Sequence, residues 1–367
     1  IACKKAQESD ITFAFERYNW ISGTVYAQYD DRDTNLYDSQ FYVFTEDFNV
    51  YKCLYNNQGA ASTVKPSGTS TSTIETSDGY IWKFMFTISS ADRLKFQTNL
   101  FLPVTTLAAD DGSSQWDVQQ AAANGAIDVI DITSGGSGYL VNKGSFAAVS
   151  NSSVLVANNL ASGVDDVYIG STLFISTGLG SGQLREIIDY TGSSRTITVN
   201  SGFTIIPNTS SEYHIGPKIS ISGDGRNASA YANVINGSIQ RVRMINRGSN
   251  YSTAAATATA GSGTGASLKV IIPPPGGHGS DPQDELLGHN VIFNVKIEGT
   301  ESGVFPANND FRVIGLLKDP IEANGAVANS SLYNQTTRLT LTGVTGNFQE
   351  DEFVNGEISS AEGRVLT

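Results

Sequence analysis

The best candidate for metal chemistry in this chain is a pair of histidines near a Gly-rich turn. His278 and His289 lie on either side of Asp281 within residues 276–289. Two imidazoles and a carboxylate form a common zinc ligand set. These three residues could therefore converge on a metal, although an ordinary role for His278 as a polar loop residue is the favoured interpretation.

A second group of oxygen ligands begins like a calcium-binding loop. Asp31 and Asp33 place carboxylates at alternate positions, as a calcium loop does. The Gly that an EF-hand requires is Leu36 and the closing Glu is Tyr42, so an EF-hand is rejected. Either a weaker calcium site that includes Asp30 or a solvated acidic turn remains open.

Paired carboxylates are the remaining acid–base candidates. Asp110–Asp111 and Asp165–Asp166 are neighbours in sequence, whereas a glycosidase pair spans an open groove at roughly 5–9.5 Å. Solvated turns explain both pairs more simply. The chain has no Gly-x-Ser-x-Gly elbow in a strand-to-helix setting and no Gly-Lys-Ser/Thr phosphate loop. We therefore expect no enzyme activity, no catalytic residue and no cofactor or metal site.

An aromatic group near the start of the chain could bind sugars. Its members are Tyr18, Trp20, Tyr26 and Tyr29. Their period-two placement is more typical of side chains that pack in a core or an interface.

Composition indicates the type of elements that must position these residues. The chain has 367 residues, of which 16% are charged and 37 are Gly, and it is rich in Ser, Thr and Asn. This mixture suits strands and turns better than helices. The length allows two or three domains and a substantial core. We predict a mainly β protein.

Charge and cysteine content exclude several classes of function. The formal net charge is −13 and basic residues are scattered, which argues against nucleic-acid binding. No apolar run approaches the roughly 20 residues of a membrane helix. Cys3 and Cys53 are interpreted as two reduced core thiols.

The clearest local pattern lies in residues 50–89. An apolar strand at residues 50–54 is followed by a Ser/Thr/Gly-rich loop, and Asp78–Gly79 then supplies a turn into a second strand. In that second strand the large aromatic residues recur at period two, at Tyr80, Trp82, Phe84 and Phe86. Apolar residues also occur on its other face, so the pattern predicts a strand buried on both faces.

This strand, polar loop and Asp-Gly-Tyr-x-Trp strand resemble the baseplate wedge subunit encoded by gene eight of T-even-like contractile-tailed phages. Residues 17–30, which begin Arg-Tyr-Asn-Trp, look like the helix-to-strand segment of that family. Residues 309–323, which contain Lys-Asp-Pro-Ile-Glu-Ala, look like its strand that ends in a Pro-hydrophobic-Glu-Ala turn. The three blocks follow the family's order.

The resemblance implies a β-sandwich core with short helices on flanking loops, to which this chain adds inserted small β modules. It also implies a homodimer within each wedge, contacts to other wedge proteins, and a place in the virion tail baseplate after assembly in the bacterial cytoplasm. The function would be structural: to hold the wedge together and to rearrange on contraction. The alternative is a tail protein that binds or depolymerises a host-surface glycan, with the inserted repeats as its receptor face.

The departures from the family give the predicted domain organisation. Residues 126–289 have no counterpart in compact members, and both ends of the sequence look cut. We predict a discontinuous wedge core (1–125 and 290–335), a repeat module (126–142 and 215–275), a nested small β domain (143–214), a linker with a short helix (276–289) and a C-terminal β segment (336–367).

The repeat module is recognised by internal similarity. Asn124–Gly125 and Asn236–Gly237 each begin a unit that reaches a Gly-Ser-x-Tyr end after fifteen steps, at Tyr139 and Tyr251. Asn-Gly followed by an alternating strand predicts a hairpin in each unit. Small residues at period two follow the Gly-rich end of residues 219–225, at Ala228, Ala230 and Ala232, and indicate closely packed strands. The Gly-rich residues 261–266 occupy the corresponding place after the second unit.

The remaining elements are short. Strands are expected in the nested domain at 166–170, 173–175, 180–190 and 195–199. Helices are expected at 90–95 after a Ser cap, at 115–123, and at 281–287 with Pro early and Gly288 after. Residues 1–6 also look helical, and the Pro run at 273–275 is interpreted as a stiff linker.

Overall fold

A computed structural model describes residues 8–297, 311–318, 326–327, 340–343, 345–349, 352–356 and 361–365. The chain forms two compact units, Ile1–Leu316 and Leu317–Thr367. With 41% of the described residues in strands and 8% in helices, the predicted mainly β class is confirmed. Residues 1–6, and with them Cys3, lie outside the described part of the chain.

The strands in chain order are β1 Ile11–Glu16, β2 Tyr42–Phe44, β3 Asn49–Tyr55, β4 Ile74–Glu75, β5 Ile81–Thr87, β6 Phe101–Val104, β7 Ile130–Ser137, β8 Asn142–Ser145, β9 Ala148–Val149, β10 Val154–Val156, β11 Ser171–Thr177, β12 Leu184–Thr191, β13 Thr196–Val199, β14 Glu212–Gly223, β15 Arg226–Ile235, β16 Ser238–Ser249, β17 Ala254–Thr259, β18 Thr264–Val270, β19 Asn290–Ile297, β20 Phe311–Lys318, β21 Phe353–Asn355 and β22 Glu362–Arg364.

The described helices are short and start where the sequence predicts. α1 (Ser90–Phe96) follows Ser89, whose side chain accepts from the N–H of the third helical residue. α2 spans Ser114–Ala121, and α3 spans Pro282–Glu285 with Asp281 as its cap. No helix in the described part of the chain is long and apolar enough to cross a membrane.

Two four-stranded sheets build the first core. Their strand orders are β2-β3-β5-β4 and β20-β19-β1-β6. Phe15 of β1 packs edge-on against Tyr42 and Phe86 of the other sheet, with ring centroids 5.2 and 6.1 Å apart. The core therefore has a sandwich-like arrangement in which one hydrophobic cluster takes side chains from both sheets.

Strands β3 and β5 are the centre of this arrangement. All seven residues of β3 and five of the seven in β5 are buried, as expected for strands apolar on both faces. They pair antiparallel with Tyr51 opposite Phe84 and Lys52 opposite Lys83. Two charged residues thus face each other inside the apolar centre of the sheet.

A large sheet contains the strands of the inserted region. Its main path is β7-β18-β17-β14-β11-β12-β13-β10-β9, with β15, β16 and β8 attached beside it. The strands from β8 to the first half of β14 enclose one hydrophobic cluster, and β7 with the strands from the second half of β14 to β18 enclose another. Together these strands place two cores on one continuous sheet.

The two repeat units are paired reciprocally. The N–H of Tyr139 donates to the carbonyl of Gly237 at 3.0 Å, and the N–H of Tyr251 donates to the carbonyl of Gly125 at 3.3 Å. Each unit's terminal Tyr therefore binds the Asn-Gly turn of the other unit. β7 pairs with β18, and β16 pairs with β15, with a bulge at the equivalent step of each pair.

The glycines in the bends explain why the units match. Gly136 and Gly248 have φ values of 63° and 67°, and an added Cβ would lie 2.5 and 2.6 Å from a backbone oxygen of the paired strand. The left-handed conformation and the close approach both require Gly. The repeat in the sequence is therefore a repeat of backbone conformation.

Three local expectations were wrong. Asn236–Gly237 forms the two-residue hairpin turn between β15 and β16, with φ of 52° and 77°, but Asn124–Gly125 is a turn that joins no two strands. Residues 166–170 also lie in a turn, in which Asp166 has a φ of 60°. Residues 17–30 contain isolated bridges at Asn19 and Thr24 rather than a named strand. In each case backbone hydrogen bonds to a neighbouring segment override the local pattern.

The domain limits given above stay a prediction. In the second compact unit, β21 pairs antiparallel with β22. β20 coincides with the strand expected in residues 309–323, and the turn expected after it lies outside the described residues.

Candidate functional site

The most unusual chemical feature is a buried ion pair between β3 and α3. Nζ of Lys52 lies 2.9 Å from Oε2 of Glu285, and their side chains are 0% and 1% exposed. Lys52 Nζ also lies 3.8 Å from the ring centroid of Tyr29. Burial lowers the pKa of Lys52, although Glu285 opposes that shift.

The backbone of the linker completes the coordination of Glu285. Its Oε1 accepts from the N–H of Gly279 at 2.7 Å and from the N–H of Asp281 at 3.2 Å. Burial opposes ionisation of Glu285, but Lys52 and His278 outweigh it and lower its pKa to about 2. The carboxylate is therefore held as an anion that ties the linker to the sheet.

His278 belongs to the same buried group. Its Nδ1 is 3.8 Å from Oε2 of Glu285, and its ring meets that of Tyr29 edge-on at 5.1 Å. The side chain is 3% exposed, and burial together with Lys52 lowers its pKa. His278 lies in a turn, as expected of a polar loop residue, but this turn carries its side chain into the core.

The predicted metal ligands do not form a cluster. Asp281 accepts from the N–H groups of Gln283 and Asp284 as the cap of α3, whereas His289 stacks on Tyr37 with centroids 6.4 Å apart. Among the residues that the structure describes, no group of three or more His, Cys, Asp or Glu is arranged to hold a metal. A zinc site at these positions is not supported.

The acidic turn at residues 30–33 contacts the inserted region. Asp30 pairs with Lys269, and Oδ1 of Asp31 accepts from the N–H of Ile272 at 3.0 Å. Asp33 accepts from the N–H of Asn35. Asp30 and Asp31 anchor β18 and the residues after it to the core. All three carboxylates are directed at protein groups rather than grouped around one point.

The other sequence candidates have structural roles. Asp110 and Asp111 accept from backbone N–H groups two residues further on, as solvated turns do. Oδ1 of Asp165 accepts from the N–H of Gly192 at 2.7 Å. Each of these three carboxylates is therefore directed at a backbone N–H group.

The aromatic group packs inward. Tyr26 and Tyr29 are 1% and 8% exposed, and Tyr26 meets Trp82 edge-on at 5.9 Å. Tyr18 packs against Tyr42, and the indole N–H of Trp20 donates to Oγ of Ser62 at 3.1 Å. Core packing, the favoured interpretation, is what the structure shows.

Asp78 organises the polar loop between β3 and β5. Its Oδ2 accepts from the N–H groups of Thr63 and Val64 at 2.7 and 2.9 Å, and its Oδ1 accepts from Oγ1 of Thr76 at 2.5 Å. Partial burial opposes ionisation, but these donors outweigh it and lower the pKa of Asp78. The Asp of the Asp-Gly-Tyr motif therefore fixes the long loop as well as the turn.

Three charged residues missed by the sequence interpretation meet between the core and the repeat module. Arg243 donates from Nη1 and Nη2 to the two oxygens of Glu75 at 2.7 and 3.0 Å. Arg241 donates from Nη1 to the carbonyl of Gly79 at 2.8 Å and stacks over the ring of Tyr55 at 4.7 Å. This cluster borders an open polar groove.

Some of the residues that the sequence interpretation missed lie in a recognisable local pattern, and others do not. Lys52 and Lys83 interrupt strands that are otherwise apolar on both faces, which is a sign of a buried partner. Glu75 lies on a two-residue strand and Arg241 on an alternating strand, where charged residues are ordinary. No local signal could have identified those two.

The fold defines a mainly β protein with a sandwich-like core and a large inserted sheet. No protein-family model, curated protein or solved structure gave a match to the chain.

Proposed function

We propose that the chain is a structural subunit of a contractile phage tail baseplate wedge. The observation that carries this proposal is the resemblance of residues 50–89 to the gene-eight wedge family. The resemblance is supported by the role of its motif residues: the aromatic side chains form a strand with five buried residues, and Asp78 holds the intervening loop. A wedge subunit needs such a rigid body to pass force between neighbours.

The links between core and repeat module also favour a mechanical role. Lys269 pairs with Asp30, and Arg243 donates to both oxygens of Glu75 at 2.7 and 3.0 Å. Such connections join strands far apart in sequence and limit relative motion. The first compact unit would then act as one body whose outer surfaces make the assembly contacts.

A surface around α1 is suited to such a contact. Leu94 is 90% exposed and Leu100 is 71% exposed. Leu94 lines a cavity of about 360 Å³ beside Phe48 and Arg93. Large exposed aliphatic side chains are costly in a free subunit and are stabilised when a partner covers them. We assign this surface to self-association or to another wedge protein.

Mass photometry of the purified protein, alone and mixed with the other wedge proteins of the same virus, tests the proposal. A stable dimer that joins a larger discrete complex is the expected result. A trimer that ignores those proteins would contradict the proposal and would indicate a fibre or spike role.

The second candidate is a tail protein that binds or depolymerises a host-surface glycan. The open polar groove between core and repeat module is the observation that favours it. Release of reducing sugar from host polysaccharide by the purified protein would support depolymerisation, and assembly into wedges without that activity would favour the structural role.

A further inference from the structure

A groove between β4 and the β15–β16 hairpin is lined by convergent polar groups. Its volume is about 680 Å³. The core contributes Asn57 and Glu75, and the repeat module contributes Asn233, Gln240, Arg241 and Arg243. All of these residues belong to the first compact unit.

The charges in this groove do not balance. Both oxygens of Glu75 bind the guanidinium of Arg243, and Arg241 is left with Nη2 3.3 Å from Oε1 of Glu75. That nitrogen is buried and makes no hydrogen bond. Arg241 and Arg243 carry two positive charges and Glu75 carries one negative charge, so one positive charge is not neutralised. The two N–H donors on Nη2 of Arg241 are also unused.

The directions of the pKa shifts of Arg241 and Arg243 agree with this excess of positive charge. The hydrogen bonds that Arg243 donates to Glu75 raise the pKa of Arg243, whereas burial lowers the pKa of Arg241 despite the same carboxylate. The nearby Asp78 does not supply the missing charge, because its oxygens accept from the loop backbone at Thr63 and Val64. A negatively charged ligand would complete the site.

The walls indicate a sugar rather than a peptide. Asn57, Asn233 and Gln240 offer both donors and acceptors, which suit the paired hydroxyls of a pyranose. Ile235, 54% exposed, is the large aliphatic side chain among the lining residues. Protein interfaces usually have an apolar centre, whereas most of the residues that line this groove carry polar or charged side chains.

We propose that this groove binds an acidic oligosaccharide of the uronate class, with a sugar carboxylate paired to Arg241 and the ring hydroxyls bound by the neighbouring amides. The site does not depend on the wedge assignment. It would allow a structural subunit to hold a host-surface polysaccharide as well.

Isothermal titration calorimetry of the full chain with three oligosaccharides tests the site. The probes are tetragalacturonate, a tetrameric alginate fragment and neutral maltotetraose. We expect at least one acidic probe to bind and the neutral probe to bind at least about tenfold more weakly, which corresponds to about 1.4 kcal/mol. Failure of both acidic probes, or equal binding of the neutral one, would overturn the proposal.

Variants separate this site from binding elsewhere on the surface. Arg241→Gln should weaken binding of the acidic probe at least tenfold, and Gln240→Ala, an exposed position, should weaken it severalfold with an unchanged melting temperature. Lys218→Gln is the matched control, since Lys218 pairs with Glu186 and does not line the groove. Binding that survives both groove substitutions would also overturn the proposal. Wedge association is measured separately, so either proposal can fail alone.

Discussion

Lys52 and Lys83 lie directly opposite each other on β3 and β5, and both side chains are buried. Like charges at opposing positions destabilise a sheet unless other groups compensate. Lys52 is compensated by Glu285, whereas Lys83 donates to the carbonyl of Thr71 at 2.5 Å. Removing Lys52 therefore leaves a buried carboxylate without its cation, whereas removing Lys83 leaves a backbone carbonyl without its donor.

The first prediction concerns this difference. Lys52→Met should lower the free energy of unfolding by about 3–5 kcal/mol, because it leaves Glu285 as a buried charge without its cation. Lys83→Met removes a buried charge that has no directly bonded carboxylate. We therefore expect the free energy of unfolding to change by no more than about 1 kcal/mol. Urea denaturation measures both. Equal losses in the two variants would contradict the assignment of Glu285 to Lys52.

An exposed pair provides the control for that experiment. Lys218 and Glu186 are 2.8 Å apart, with side chains 37% and 33% exposed. Replacing Lys218 by Met should cost no more than about 1 kcal/mol, since solvent screens such a pair.

The second prediction concerns pH. Burial, with a smaller effect of Lys143, lowers the pKa of His214 from 6.5 to about 4. The unfolded chain therefore binds a proton in this window that the folded chain does not, and stability falls as pH drops from 6.5 towards 4. The expected loss is up to about 3 kcal/mol.

Urea midpoints at pH 7, 5.5 and 4.5 check this loss. His214→Gln should flatten the dependence by that amount, and the remainder should include His278, whose pKa is also lowered. An unchanged pH profile in the variant would show that His214 does not titrate in this way.

The third prediction uses the reciprocal repeat. Gly136→Ala and Gly248→Ala should destabilise the protein by similar amounts, because both residues have positive φ and meet the backbone of a paired strand. Gly182→Ala is the matched control: its φ is 87°, but nothing lies within 4 Å of the added Cβ. The control should show a backbone cost of about 1–2 kcal/mol, and the two repeat variants should exceed it. The free energies of unfolding of the two repeat variants should differ less from each other than from that of the control. The opposite result would argue against structural equivalence of the two glycines.

The fourth prediction concerns Asp78. Asp78→Ala removes the acceptor for the N–H groups of Thr63 and Val64. We expect a loss of about 2–3 kcal/mol and faster proteolysis within residues 56–79. Asp47→Ala serves as the comparison, because that carboxylate is 55% exposed and pairs with Lys65 at the surface. If cleavage of the loop is equally fast in both variants, Asp78 does not hold it.

The fifth prediction tests the surface around α1. Leu94→Glu and Leu100→Glu should weaken dimer or wedge association at least tenfold without lowering the melting temperature, since both side chains are exposed in the subunit. Leu160→Glu is the control, with 81% exposure in the inserted sheet region. Association that responds to the control alone would place the contact elsewhere.

Local signals in the sequence predicted much of the secondary structure. Ser89 and Asp281 act as caps, and Pro282 stands at the first turn of α3, because capping depends on neighbouring residues. The alternating aromatic residues of β5 predicted its two buried faces for the same reason. The hairpin at Asn124–Gly125 failed because that unit pairs with the distant β18 instead of an adjacent strand.

The candidate sites depended on contacts that local patterns do not contain. His278 was judged from its Gly-rich neighbours, yet its environment is set by Tyr29 and Glu285. The groove brings residues 57–79 together with residues 233–243. Neither segment has a motif that specifies the other.

The sequence by itself determined the β-rich class, the short capped helices, the buried strands β3 and β5 and the existence of a repeat, because propensity, capping and period-two burial act over a few residues. The tertiary structure alone decided which charges meet. Lys52 and Glu285 are 233 residues apart, and Arg243 and Glu75 are 168 apart. Such pairs form because burial requires a charge to find a partner, and the fold determines which partner lies within reach.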